Sequence, residues 1–160
     1  EASKYYQYCL NQGFKDQRVF SNYGVILKSL GKLKEAEIYT RKAIELNPDF
    51  LEANFNLGCI LIDLGKLQEA ELSTRKAIEL NPNFADAHYN LGNILKDLGK
   101  RENAINSLYK ASELGKDYNL CLSVIGDVLL TEGNFTEGVT KLKAGAGSIE
   151  FNLKNGLSIN

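Results

Sequence analysis

Residues 51–84 read LEANFNLGCILIDLGKLQEAELSTRKAIELNPNF, and residues 17–50 read QRVFSNYGVILKSLGKLKEAEIYTRKAIELNPDF; laid side by side, 21 of 34 positions are identical. The register extends outward in both directions. Leu30-Gly31-Lys32 recurs as Leu64-Gly65-Lys66 and as Leu98-Gly99-Lys100, and Asn47-Pro48 recurs as Asn81-Pro82. Leu27, Leu61, Leu95 and Leu129 keep the same step, as do Gly24, Gly58, Gly92 and Gly126, and Gly31, Gly65, Gly99 and Gly133. Chance does not produce such self-similarity. A fixed period of this length signals stacked repeats, each one supersecondary unit.

Each unit reads as two helices and two breaks. Ala53, Leu57, Ile60, Leu61 and Leu64 fall on one face of a first helix. Gly65 ends it, because glycine takes the left-handed backbone of a C-terminal cap. Leu67, Ala70, Thr74, Ala77 and Ile78 mark the inner face of a second helix. Asn81-Pro82 stops that helix, since the residue before proline is pushed out of helical geometry. Lys66, Glu69, Arg75, Lys76 and Glu79 occupy the outer face and read as a solvated helix surface. Gly24, Gly58 and Gly92 on first helices, and Ala36, Ala70 and Ala104 on second helices, permit close helix approach. Ala43, Ala77 and Ala111 form another small series, facing the next unit. One unit cannot bury its own apolar face, so stacking supplies the missing surface.

The period, the Leu57-Gly58 pair, Leu61, Ala70, Ala77 and Pro82 resemble the tetratricopeptide repeat. The units are similar to those of bacterial arrays of this family. The resemblance implies an all-α chain: a right-handed α-solenoid of stacked helix-turn-helix units with a short non-helical C-terminal tail. Three complete units fit, at 17–50, 51–84 and 85–118. A degenerate terminal unit covers 119–147, with Gly138 and Gly145 where other units have alanine. In the third unit Lys116 replaces proline, so its second helix runs on or ends at Gly115. Residues 1–16 read as the second helix of a truncated unit, with Cys9 as a small packing residue at a tight helix contact. This opening and the absence of Met suggest a processed product or a fragment of a longer array. Residues 148–160 form a tail or begin a downstream segment. Ala144-Gly145-Ala146-Gly147 reads as a helix break, and Asn155-Gly156 is a hairpin-turn dipeptide flanked by alternating apolar residues. The tail packs on the last helices, begins a domain, or is disordered.

Composition narrows the function classes. The 160 residues carry 19 Lys+Arg against 20 Asp+Glu, a net charge of −1, with 44% apolar residues. That balance argues against nucleic acid, which calls for a basic excess, and gives no reason to invoke anionic membranes. No apolar run approaches a membrane span, and no signal-peptide pattern opens the chain. Three widely spaced cysteines, Cys9, Cys59 and Cys121, suit free thiols in a reducing, cytoplasmic setting.

No catalytic constellation emerges, so the chain reads as a non-enzyme. His88 is the only histidine, and Cys59, one unit away, is its only candidate nucleophile. With no CxxC and no second histidine, ligands for a metal are too few. The glycines recur at the repeat period and spell no phosphate loop, and no cofactor is implied.

What remains is the wall of first helices, which in the family lines a concave groove for extended peptides. By that resemblance the first unit presents Arg18, Ser21, Asn22, Val25, Lys28 and Ser29. The second presents Glu52, Phe55, Asn56, Cys59, Ile62 and Asp63, and the third presents Asp86, Tyr89, Asn90, Asn93, Lys96 and Asp97. Asn22, Asn56 and Asn90 form a ladder at the repeat step, ended by Val124. A carboxamide carries an acceptor and two donors, so it bonds both the C=O and the N–H of a peptide backbone. The ladder resembles that in the superhelical repeat domain of O-linked N-acetylglucosamine transferase. Duplication also copies residues without giving each a role. The family's carboxylate clamp is absent: Ser21, Phe55 and Tyr89 stand where it needs basic groups. Phe55 and Tyr89 instead suggest apolar or stacking pockets, or ordinary packing. The expected function is a protein–protein interaction scaffold holding a protein or peptide ligand, with self-association as a further expectation. The alternative is the substrate-recruiting arm of a larger enzyme such as a glycosyltransferase-like protein.

Overall fold

The computed structural model describes residues 2–13, 15–131, 133–146, 151–152 and 156–157. The chain divides into two compact units, Glu1–Pro82 and Asn83–Asn160. The first holds α1 (Ala2–Asn11), α2 (Gln17–Ser29), α3 (Leu33–Leu46), α4 (Leu51–Asp63) and α5 (Leu67–Leu80). The second holds α6 (Ala85–Asp97), α7 (Arg101–Glu113), α8 (Tyr118–Thr131), α9 (Phe135–Ala146) and a short pair of strands, β1 (Phe151–Asn152) and β2 (Gly156–Leu157).

The repeat punctuation determines these boundaries. Gly31, Gly65 and Gly99 have φ of 74°, 72° and 72°. At the first of them Gly31 N–H donates to Lys28 O, and Lys32 N–H donates to Leu27 O, both at 2.9 Å. This paired closure satisfies the last carbonyls of α2 and recurs after α4 and α6. The second helices α3 and α5 end on Asn47 and Asn81 in extended conformation ahead of proline. At Lys116 the chain uses the other device: Gly115, with φ of 95°, closes α7 in the same paired manner. The third unit's second helix therefore ends at glycine rather than running on.

Each first helix packs against the second helix of its own pair: α2 on α3, α4 on α5, α6 on α7, α8 on α9. A Cβ placed on Gly58 would sit 2.5 Å from Thr74 Oγ1, and one on Gly92 would sit 2.6 Å from Leu108 Cγ. The core of the first unit gathers Tyr23, Leu27, Ala36 and Ile60, with Tyr6, Tyr39 and Leu64 against it. That of the second gathers Leu108, Leu122, Val124, Ile125 and Leu129, with Tyr89 and Ile105 against it.

In the terminal pair a Cβ on Gly126 would lie 2.9 Å from Gly138 O, against 3.2, 3.7 and 3.3 Å from the matching carbonyls for Gly24, Gly58 and Gly92. Gly138 in place of alanine lets α8 and α9 approach more closely. The helix also passes through Ala144 and Gly145 to Ala146 instead of breaking there. In the tail, Asn152 pairs with Gly156 and Phe151 with Leu157. Gly156 is thus a strand residue instead of part of the expected turn dipeptide. Ile149, Leu153, Asn155 and Ile159 lie outside the described residues. Cys9 is half-buried beside an open cleft instead of sealed at a tight contact, although the matching Ala43 is fully buried.

Candidate functional site

The first-helix residues sort by helical periodicity. On α4, Ala53, Leu57, Ile60 and Leu61 turn into the core, while Glu52 stays exposed and Phe55, Asn56 and Cys59 are half-buried. On α6, Asp86 is exposed and Tyr89, Asn90, Asn93 and Lys96 are half-buried. On α2, Asn22 is exposed. It lines an open cleft of about 430 Å³ with Tyr5, Tyr6, Cys9 and Val19.

Within the first unit α2 and α4 are in contact, which brings Asn22 and Asn56 onto packed neighbours. Asn56 Nδ2 donates to Ser21 Oγ at 3.3 Å. Ser21, expected to face a ligand, is instead 1% exposed and serves as this acceptor. Arg18 is committed to Asp16: Nε and a terminal nitrogen reach the two carboxylate oxygens at 3.1 and 2.6 Å. Asp16 also caps α2 by accepting from Arg18 N–H at 2.8 Å. The Arg18 hydrogen bonds hold its carboxyl below the ordinary value. Lys28 and Asp63 join α2 to α4 across consecutive repeats, with Nζ 3.0 Å from the carboxylate.

In the second unit Asn93 Nδ2 donates to Tyr89 O at 3.1 Å, one turn back on its own helix. Lys96 lies 3.9 Å from Asp97. Lys116 donates to Asp86 Oδ1 at 2.5 Å, and its Nζ sits 5.0 Å from the Tyr89 ring centroid. The Asp86 hydrogen bond, partly opposed by burial, raises the Lys116 ammonium above its usual value. The sequence marks Lys116 only as a missing proline, and nothing in the repeat period shows that its side chain returns to α6.

Asn54 is a second feature absent from the reading of the sequence. It is 5% exposed, and its amide donates to Pro48 O at 2.9 Å and Phe50 O at 3.0 Å, fixing the loop that enters α4. The outer face is also more than solvated charge. Glu37, 13% exposed, accepts from Arg41 one turn along and from Lys66 of the next repeat, and Arg41 also reaches Glu69.

His88 is half-buried on α6, and none of Cys9, Cys59 and Cys121 is joined in a disulfide. Burial pushes the Cys121 thiol up. Among the described residues no cluster of metal-ligating side chains occurs, and no helix is long and apolar enough to cross a membrane.

Three family models match. TPR repeat covers residues 58–99, and two models described as tetratricopeptide repeat cover 39–71 and, in the third case, 17–50 with 85–118. Comparison with curated proteins gives no match. Among solved structures the chain is similar to MamA, with a TM-score of 0.83 and 23% identity over 90% of this chain and 84% of that one. It is similar to YrrB, a TPR protein with an unusual peptide-binding site, with a TM-score of 0.75 and 23% identity over 88% of this chain and 73% of that one. A mutant Thermobaculum terrenum O-GlcNAc transferase gives a TM-score of 0.65 and 30% identity over 71% of this chain, but only 22% of its own. The first two likenesses concern the fold. With the period, the paired helices and their glycine and Asn-Pro stops, these matches establish that the chain belongs to the tetratricopeptide repeat family.

Proposed function

We propose that this chain is a non-catalytic interaction module whose first helices hold an extended segment of a protein or peptide partner. Asn22, Asn56 and Asn90 would bond the partner's backbone, and Phe55, Cys59, Tyr89, Asn93 and Lys96 would line its side chains. The observation that carries this reading is the exposure of α2, α4 and α6. On each, the asparagine at the repeat step stands at or near the surface, while the next two residues, Tyr23-Gly24, Leu57-Gly58 or Leu91-Gly92, are buried. Regular carboxamides suit a regular ligand, and an extended backbone offers one C=O and one N–H per residue. Self-association is the same proposal with a second copy as partner.

The test compares proteins retained from lysate by the wild type and by the triple variant Asn22→Ala, Asn56→Ala, Asn90→Ala. Circular dichroism verifies the fold, since substitutions at such surface positions usually change stability by only about 0.5 kcal/mol. Partners lost from the folded variant support the reading, and an unchanged set contradicts it. A second reading, the recruiting arm of a larger enzyme, is favoured by the 30% identity to the O-GlcNAc transferase mutant. It is tested by reading the gene on both sides of these residues for a catalytic domain.

A further inference from the structure

Ser21 and Asn56 lie on α2 and α4, successive first helices that pack against each other. Ser21 is 1% exposed, and its Oγ accepts from Asn56 Nδ2 at 3.3 Å. Asn56 is half-buried, whereas Asn22, one ladder step back, is exposed. The contact is no copy of the repeat: one step on, the residue in the serine's place is Phe55, which has no hydroxyl.

A carboxamide is one planar group with two N–H donors and an acceptor oxygen. Anchoring one N–H on a buried hydroxyl fixes the plane and distinguishes its two ends. What remains on Asn56 is one N–H and Oδ1. That pair matches the C=O and N–H that each residue of an extended backbone offers. Lys28 and Asp63, with Nζ 3.0 Å from the carboxylate, bridge the same two helices toward their other ends. A side chain ordered before its partner arrives loses less freedom on binding, whereas an exposed one such as Asn22 must be ordered by the partner.

We propose that Ser21 is a positioning residue for the ladder: it holds Asn56 in the orientation that bonds a partner's backbone, which makes the second repeat the principal anchor. The proposal rests on the reading that the asparagines bond an extended segment, and it adds which of them is ordered in advance and by what.

The first test needs no variant. Hydrogen exchange of the Asn56 side-chain amide, read by nuclear magnetic resonance on the full chain, is expected to show one Nδ2 proton exchanging about fivefold more slowly than the other. Ser21→Ala is expected to abolish that difference. Two Asn56 protons that exchange equally in the wild type overturn the proposal. The second test is a double-mutant cycle by isothermal titration, with a peptide selected from a random display library on the wild type as probe. Ser21→Ala is expected to weaken the peptide about threefold in the wild type and to have no effect in the Asn56→Ala background. An equal loss in both backgrounds overturns the proposal, because Ser21 then acts without Asn56. The cycle also separates the two readings. If Asn56→Ala weakens the peptide and Ser21→Ala does not, the ladder stands and the positioning role falls. If Asn56→Ala binds as tightly as the wild type, the second ladder position falls and the positioning role falls with it.

Discussion

A methyl group added to Gly126 would lie 2.8 Å from Leu142 N and 2.9 Å from Gly138 O. Both are backbone atoms that cannot swing aside, so α8 and α9 would have to separate. Gly126→Ala is expected to lower the unfolding free energy by about 1–3 kcal/mol in urea denaturation. Gly99→Ala meets nothing within 4 Å and carries only the strain of φ at 72°. Its expected cost is about 1 kcal/mol. A Gly126→Ala protein as stable as the wild type would contradict the close approach. Thr40 behaves differently: it is fully buried, and its hydroxyl has no hydrogen-bond partner among the described residues. Thr40→Val keeps the branched shape and removes a desolvated polar group. It is expected to preserve stability or raise it by about 1 kcal/mol, and a clear fall in melting temperature would show that the hydroxyl is bonded. The glycine series was legible in the sequence because it repeats. The partner each glycine meets was not, because position 40 is Thr, 74 is Thr, 108 is Leu and 142 is Leu.

At the scale of the element, stops and stacking faces follow from local chemistry. Gly31, Gly65 and Gly99 with Asn47-Pro48 and Asn81-Pro82 fix the helix ends through to α6, because left-handed caps and pre-proline residues act within one turn. Gly133, with φ of 79°, still closes α8 in the same paired manner; beyond it this punctuation thins and local signals no longer decide, so α9 carries on through Gly145 and Gly156 lies in a strand. The ion pairs between elements were also hidden, since charges on a helix surface look alike whether solvated or paired. Burial acts to raise the Glu37 carboxyl, but hydrogen bonds from Lys66 and Arg41 outweigh it and leave its value lowered. A carboxyl lowered by folding stabilises the fold above its unfolded value of about 4.3. That contribution disappears as pH falls through the lower folded value. Because Arg41 and Lys66 are 41% and 43% exposed, solvent screening limits the contribution to about 1 kcal/mol. Glu37→Gln is therefore expected to cost about that much near neutrality and little near pH 3. An equal cost at both pH values, read from urea midpoints, would show that the ionic contact plays no part.

Across the whole molecule the repeat makes the family plain from sequence, because one architecture satisfies every copy of the period. The site is less legible for the same reason: duplication writes Asn22, Asn56 and Asn90 whether or not each is used. What individualises the copies are departures from the period. Ser21 becomes a buried acceptor for Asn56, and Lys116 folds back over Tyr89 where proline would have stood. The central claim is that the asparagine ladder holds the backbone of an extended partner. The measurement that meets it most directly is isothermal titration of one peptide, selected from a random display library on the wild type, against the wild type and the Asn22→Ala, Asn56→Ala, Asn90→Ala variant. Losing three backbone contacts at about 1 kcal/mol each predicts a fall in affinity of at least tenfold with the fold intact. Equal affinity in a folded variant would contradict the claim.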